Sequence, residues 1–133
     1  MNVVVDTSVW SLALRRHRSV AHPATLTLAR AVSDGRVVML GAIRQEVLSG
    51  IREAATFGRL RERLRAFPDA PLLADDHERA AEFFNTCRGK GIQGANTDFL
   101  ICAAAHRLGC EILTTDEDFV AFAGHVPVTL AGI

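Results

Sequence analysis

Asp6, Glu46, Asp98, Asp116 and Asp118 are the side chains best suited to chemistry, because the pattern around each places it at the end of a strand or the start of a helix. The first four sit in apolar surroundings, VVVD, EVL, DFLI and ILTTD, where a decorative carboxylate is not expected. Clustered carboxylates repel one another, and they stay ionised together only when cations neutralise them. The chain has a single lysine, Lys90, outside these segments, so a bound metal is the economical counter-charge. An all-oxygen donor set suits Mg²⁺ or Mn²⁺ rather than zinc. Such a site can clamp a phosphate, activate water and stabilise a departing oxyanion. Thr7, Ser8 and Thr115 stand beside these acids and are candidates to orient carboxylates or bound waters.

The elements that must position these residues follow from the hydrophobic pattern. Val3-Val4-Val5 has the β-branched composition of a strand buried on both faces. Asp6-Thr7-Ser8 favours a helix start, and Asp6 taken alone reads as a helix cap. Helices are expected over Val9 to Leu14, from Pro23 to the stop at Asp34-Gly35, over Ile43 to Gly50, and over Phe57 to Phe67. Arg36 to Leu40 reads as the second strand, and Leu72-Leu73 as a short third one. Asp75 or Asp76 should cap a helix carrying Ala80, Phe83, Phe84 and Cys87, which ends in the basic loop Arg88-Gly89-Lys90-Gly91. Asn96 or Thr97 should cap the apolar helix Phe99 to Leu108. Cys110 to Leu113 is a strand, Thr114-Thr115-Asp116 a turn, Glu117 to Phe122 a short helix and Val126 to Leu130 a last strand.

Strands alternating with helices predict an α/β fold, a parallel sheet with right-handed crossovers. In such units strand C-termini and helix N-termini share one edge of the sheet, the edge where ligands bind. Asp6, Glu46, Asp98, Asp116 and Asp118 all fall there. The same rule nominates Asp75 and Asp76, for which helix capping is a sufficient explanation.

Composition sets the remaining bounds. A chain of 133 residues with 49% hydrophobic content is expected to fold as a single domain over residues 1–133. It has neither an apolar run near the ~18 residues of a membrane span nor a secretory leader, so a cytoplasmic location is expected. Cys87, Cys102 and Cys110 form no CxxC pair and read as reduced, mostly buried thiols. There is no GxSxG, and the five histidines show no recurrent spacing with an acid, which argues against a Ser–His–Asp hydrolase. Fourteen of the fifteen basic residues are Arg, a residue suited to bidentate phosphate contacts, although the formal net charge is zero. Arg15, Arg16 and Arg18, with Arg88 and Lys90, are the candidates for contacts to the backbone phosphates of a nucleic acid.

The ordered set of motifs resembles the PIN-domain ribonucleases, and within them the VapC-type toxins of bacterial toxin–antitoxin pairs. The stretches that carry the resemblance are Val3 to Trp10, Glu46 to Gly50, Thr97 to Ala105 and Leu113 to Phe119. The one small departure is Cys102, where the family usually has Ala; no acidic position is missing. The resemblance implies a three-layer fold with a central five-stranded parallel sheet flanked by helices. It implies that Asp6, Glu46, Asp98 and Asp116 form a catalytic pocket for Mg²⁺ or Mn²⁺, with Asp118 as an auxiliary ligand. It further implies endonucleolytic RNA hydrolysis by metal-activated water, leaving a 5′-phosphate, together with homodimers and neutralisation by a small VapB-like antitoxin. An inactive module of the same fold, binding only RNA or a partner protein, is the rival implication; the intact acid set argues against it. Trp10, Leu14 and the stripe Leu60, Leu64 and Phe67 are candidates for a dimer or antitoxin surface, or for core packing.

Overall fold

The computed structural model describes residues 1–14 and 22–132. Arg15, Arg16 and Arg18 lie outside the described residues. A parallel sheet forms the centre, built from β1 (Val3–Val5), β2 (Val37–Val38) and β3 (Glu111–Leu113) in the order β2-β1-β3. β1 is central and wholly buried, as a β-branched run covered on both faces should be. Its register sets Val3 opposite Val37 and Glu111, and Val5 opposite Leu113. Single parallel bridges extend the sheet at both edges, Met39 to Asp69 and Ile112 to Leu130. Four of the five expected strand segments are present, three as strands and Val126 to Leu130 as a single bridge at Leu130. The expected strand at Leu72-Leu73 is displaced to Asp69, which the Arg44 guanidinium holds at 2.8 Å. Arg44 also donates to the carbonyls of Leu64 and Phe67, so one side chain ties the end of the Ala54–Leu64 helix to the Gly41–Leu48 helix.

Among the described residues the helices are α1 (Thr7–Leu14), α2 (Pro23–Ser33), α3 (Gly41–Leu48), α4 (Ala54–Leu64), α5 (Ala74–Gly89), α6 (Asn96–Leu108) and α7 (Asp118–Ala123). His22 caps α2, its Nδ1 accepting the Ala24 amide at 3.0 Å. Gly109 ends α6 at φ 67°, the left-handed backbone that Gly adopts without a Cβ penalty. α1 packs on α2 and α3, while α6 lies against β1 and β3. α5 and α6 form an antiparallel pair. Phe84 meets Phe99 edge-on at 5.5 Å near one end, and Arg107 reaches Asp76 at the other.

The core under α6 is aromatic: Phe99, Phe119 and Phe122 are fully buried, with Phe122 tilted against Phe99 at 4.7 Å and edge-on to Phe119 at 5.3 Å. Gly94 lies directly against this cluster. A Cβ there would stand 2.5 Å from Phe122 and 3.0 Å from Phe99. The loop that leads into α6 therefore depends on a missing side chain to reach its position. Cys87, Cys102 and Cys110 are free and buried, as expected.

Candidate active site

The sheet register builds the site. Pairing of Val5 with Leu113 makes the residues that follow each strand, Asp6 and Thr114, neighbours at the carboxyl edge. The Asp6 amide donates to the Leu113 carbonyl, which closes that edge. Asp6 is only 5% exposed, and its Oδ2 accepts two hydroxyls, Ser8 Oγ at 2.8 Å and Thr114 Oγ1 at 2.8 Å. Its side chain is therefore held by hydroxyls rather than spent as a helix cap; its backbone carbonyl takes the Val9 and Trp10 amides instead.

Each hydroxyl in turn accepts a backbone amide. The Thr115 amide donates to Ser8 Oγ at 3.1 Å, and the Asp116 amide to Thr114 Oγ1 at 2.9 Å. Of the expected orienting residues, Thr7 and Ser8 act through their hydroxyls and Thr115 donates its backbone N–H to Ser8; the second hydroxyl on Asp6 is that of the buried Thr114. Sequence reasoning treated Thr114 as a turn former; the signal that identifies it is the strand register.

Glu46 lies in the second turn of α3, exposed, and its Oε1 accepts Thr7 Oγ1 at 2.7 Å. That bond links the first residue of α1 to α3. Asp98 is the third residue of α6, and its Oδ2 accepts the Ala95 amide at 3.1 Å. The expected caps Asn96 and Thr97 are already inside the helix; Ala95 is the N-cap residue, and Asp98 completes the turn from within. Asp116 Oδ1 accepts the Asp118 amide at 2.9 Å and so fixes the start of α7. Asp118 itself is exposed, in the first turn of that helix.

Electrostatics brings four of these carboxylates together. Burial pushes Asp98 up to about 6; the Ala95 amide opposes this, and the like charges of Asp6, Asp116 and Glu46 add to the rise. Cys102, one turn further along α6, is pushed up to about 12 by burial, with the charges of Asp98 and Asp6 contributing. Asp118 is not among the charges acting on Asp98. None of the ion pairs among the described residues involves Asp6, Glu46, Asp98 or Asp116. The charges of Asp6, Asp116 and Glu46 all act on Asp98, which makes it the centre of an electrostatic cluster of four carboxylates.

Asp75 and Asp76 are not part of this edge. Asp76 pairs with Arg107 in the last turn of α6, whereas Asp98 is in its first turn. Nine residues of helix separate those positions, roughly 13 Å at 1.5 Å per residue. The edge rule fails for α5 because it enters antiparallel to α6. For the same reason Arg88 and Lys90, at the end of α5, lie at the Asp98 end of the helix pair. Arg88, Gly94 and Phe99 line one small cavity there, and the Arg88 guanidinium covers the Phe84 ring at 5.8 Å.

A second cavity, of about 450 Å³, is apolar and lies between α1, α2 and the end of α4. Trp10, Leu14, Leu28, Leu64 and Phe67 line it, with Arg63 on its wall. Trp10 and Leu64 are also buried, so the expected surface and the expected core packing coincide in these side chains.

Comparison with known proteins agrees with this architecture. The family model described as the PIN domain matches residues 3–125. The crystal structure of FitAcB from Neisseria gonorrhoeae superposes with a TM-score of 0.74 at 18% identity, covering 98% of this chain and 96% of the other. VapBC2 from Rickettsia felis, bound to a DNA fragment from its promoter, gives 0.78 at 15% identity, covering 98% of both chains. VapC20 of Mycobacterium tuberculosis, described as a sarcin-ricin loop cleaving toxin, gives 0.65 at 23% identity, covering 96% of this chain and 99% of the other. No curated protein matches the sequence. No helix among the described residues is long and apolar enough to cross a membrane.

Proposed function

The chain belongs to the PIN-domain family, and on that premise we propose that it is a metal-dependent endoribonuclease of the VapC toxin type. The observation that carries this reading is that the charges of Asp6, Asp116 and Glu46 all act on the buried, raised carboxyl of Asp98. Three carboxylates gathered around a fourth fit a hard divalent cation, and their all-oxygen chemistry selects Mg²⁺ or Mn²⁺. Asp6, Glu46, Asp98 and Asp116 would hold it, with Asp118 as an auxiliary acid on the rim. When bound, the cation supplies the charge that makes water nucleophilic at neutral pH and steadies a leaving oxyanion.

The chain's own residues do the positioning. Ser8 and Thr114 hold Asp6, Thr7 holds Glu46, and the Ala95 amide holds Asp98. Arg88 and Lys90 beside the Asp98 end, and Arg15, Arg16 and Arg18, are assigned to backbone phosphates of the RNA. Such contacts place the substrate without reading its bases.

The apolar groove between α1, α2 and α4 is the docking surface we assign to a VapB-like antitoxin, in the manner of a helix laid into a hydrophobic groove. A homodimer completes the proposed assembly.

The test is cleavage of structured RNA by antitoxin-free protein with Mg²⁺, with Mn²⁺ and with chelator. Asp6→Asn and Asp98→Asn are run beside it, with Asp75→Asn as a control. Wild type and Asp75→Asn should cleave only with metal, and both site variants should lose at least about a hundredfold in rate. Equal cleavage by wild type and both site variants would sink the assignment. RNA binding without any cleavage would favour the inactive module.

A further inference from the structure

Thr114 lies 108 residues from Asp6 in sequence, yet it forms one half of a closed hydrogen-bonded ring around that carboxylate. Ser8 Oγ and Thr114 Oγ1 both donate to the same oxygen, Asp6 Oδ2, at 2.8 Å each. Each hydroxyl proton is committed there, and each hydroxyl oxygen then takes one backbone amide of the following loop, Thr115 at 3.1 Å and Asp116 at 2.9 Å. Two relays therefore run in parallel from Asp6 to the loop that carries Asp116. The two hydroxyl oxygens are themselves 3.4 Å apart, so the ring has little slack. Thr114 is 8% exposed, which shields its bonds from water competition.

We infer that Thr114 is a positioning residue, which sets the spacing of Asp6 and Asp116 through its hydroxyl. With both hydroxyls converging on Oδ2, Oδ1 is the Asp6 oxygen that can meet a cation without breaking either relay. The inference rests on the proposed metal-binding role of the cluster. A valine at position 114 would keep the shape of the side chain while breaking both ends of one relay. The Asp116 amide would lose its acceptor, and Asp6 would lose one of its two donors. A serine would retain both bonds and lose only a methyl group.

The experiment measures Mn²⁺ affinity by electron paramagnetic resonance for wild type, Thr114→Val, Thr114→Ser and Asp6→Asn. Each variant's fold is checked by circular dichroism. Outer partners of metal ligands commonly contribute about 10- to 100-fold in affinity, so Thr114→Val should bind Mn²⁺ that much more weakly. Thr114→Ser should stay within about threefold of wild type, because the hydroxyl is conserved. If Thr114→Val does not fold, Ser8→Ala interrupts the companion relay and should show the same loss. Wild-type affinity in a folded Thr114→Val, or an equal loss in Thr114→Val and Thr114→Ser, would overturn the inference. The first would show that the hydroxyl only stabilises the turn, and the second that the methyl packing matters. Unchanged affinity in Asp6→Asn would overturn the metal-site reading itself, and this inference with it.

Discussion

Asp76 and Asp98 occupy the same position in consecutive helices. Each is the third residue of its helix, and each accepts the amide of the residue just before the helix, Leu73 at 2.8 Å and Ala95 at 3.1 Å. Their electrostatic situations are opposite. Asp76 is 2% exposed, and the Arg107 guanidinium grips both its oxygens at 2.7 and 2.9 Å. That pairing, helped by the Leu73 amide, outweighs burial and holds the carboxyl below its ordinary range. Asp98 is held up at about 6, by burial first and then by the charges of Asp6, Asp116 and Glu46. The local motif serves both; the topology decides which becomes a brace and which a site. A carboxylate neutralised within the chain contributes to stability, and one surrounded by other carboxylates has its charged form disfavoured unless a cation offsets them.

Breaking the brace should have the largest effect on stability. Arg107→Met leaves the buried Asp76 carboxylate without its partner, and we expect the largest drop in the urea midpoint at pH 7 of all these variants. An unchanged midpoint would mean that the pair is not a brace. Gly94→Ala comes next, because its new methyl meets the Phe122 and Phe99 rings. Overpacking of this kind costs about 2 kcal/mol, and here it should also lift the loop that supplies the Ala95 amide to Asp98.

Asp98→Asn should act in the opposite direction to Arg107→Met, which is the sharpest form of the comparison. Native Asp98 holds its proton more tightly than the unfolded chain does, so its stability contribution is complete below about pH 4 and is lost as pH rises through about 6. Asparagine keeps the acceptor for Ala95 and removes the repulsion. Metal-free Asp98→Asn should therefore be more stable than wild type by about 1 kcal/mol at pH 7, after allowing for solvent screening, and equal to it near pH 4. Asp76 behaves in reverse: its depressed pKa contributes stability above the ordinary carboxylate range, and that is lost as pH falls through the depressed value. The smallest effect belongs to Thr7→Val. Its bond to Glu46 is exposed, so stability should change by no more than about 0.5 kcal/mol.

Much of this arrangement can be read from residue pattern. Val3-Val4-Val5 followed by Asp6 announces a buried strand with a carboxylate at its end, and the alternation of strands and helices carries Glu46, Asp98 and Asp116 to the same edge. What escapes the pattern depends on long-range partners. Thr114 looks like any turn residue until the register of β3 on β1 places it beside Asp6. Asp76 looks like a second edge carboxylate until the antiparallel entry of α5 brings it to Arg107. The bridge at Asp69 is anchored by an ion pair to Arg44, 25 residues away, rather than by β-forming residues, which is why the apolar Leu72-Leu73 drew the expectation of a strand.

The central claim is that the carboxyl-edge cluster, unlike Asp76, is built to bind a divalent cation. Mn²⁺ titration of wild type, Asp98→Asn and Asp76→Asn at pH 7 tests it directly. The account predicts saturable binding by wild type and by folded Asp76→Asn, with affinity reduced at least about tenfold in Asp98→Asn. Equal Mn²⁺ affinity in wild type and Asp98→Asn would contradict it.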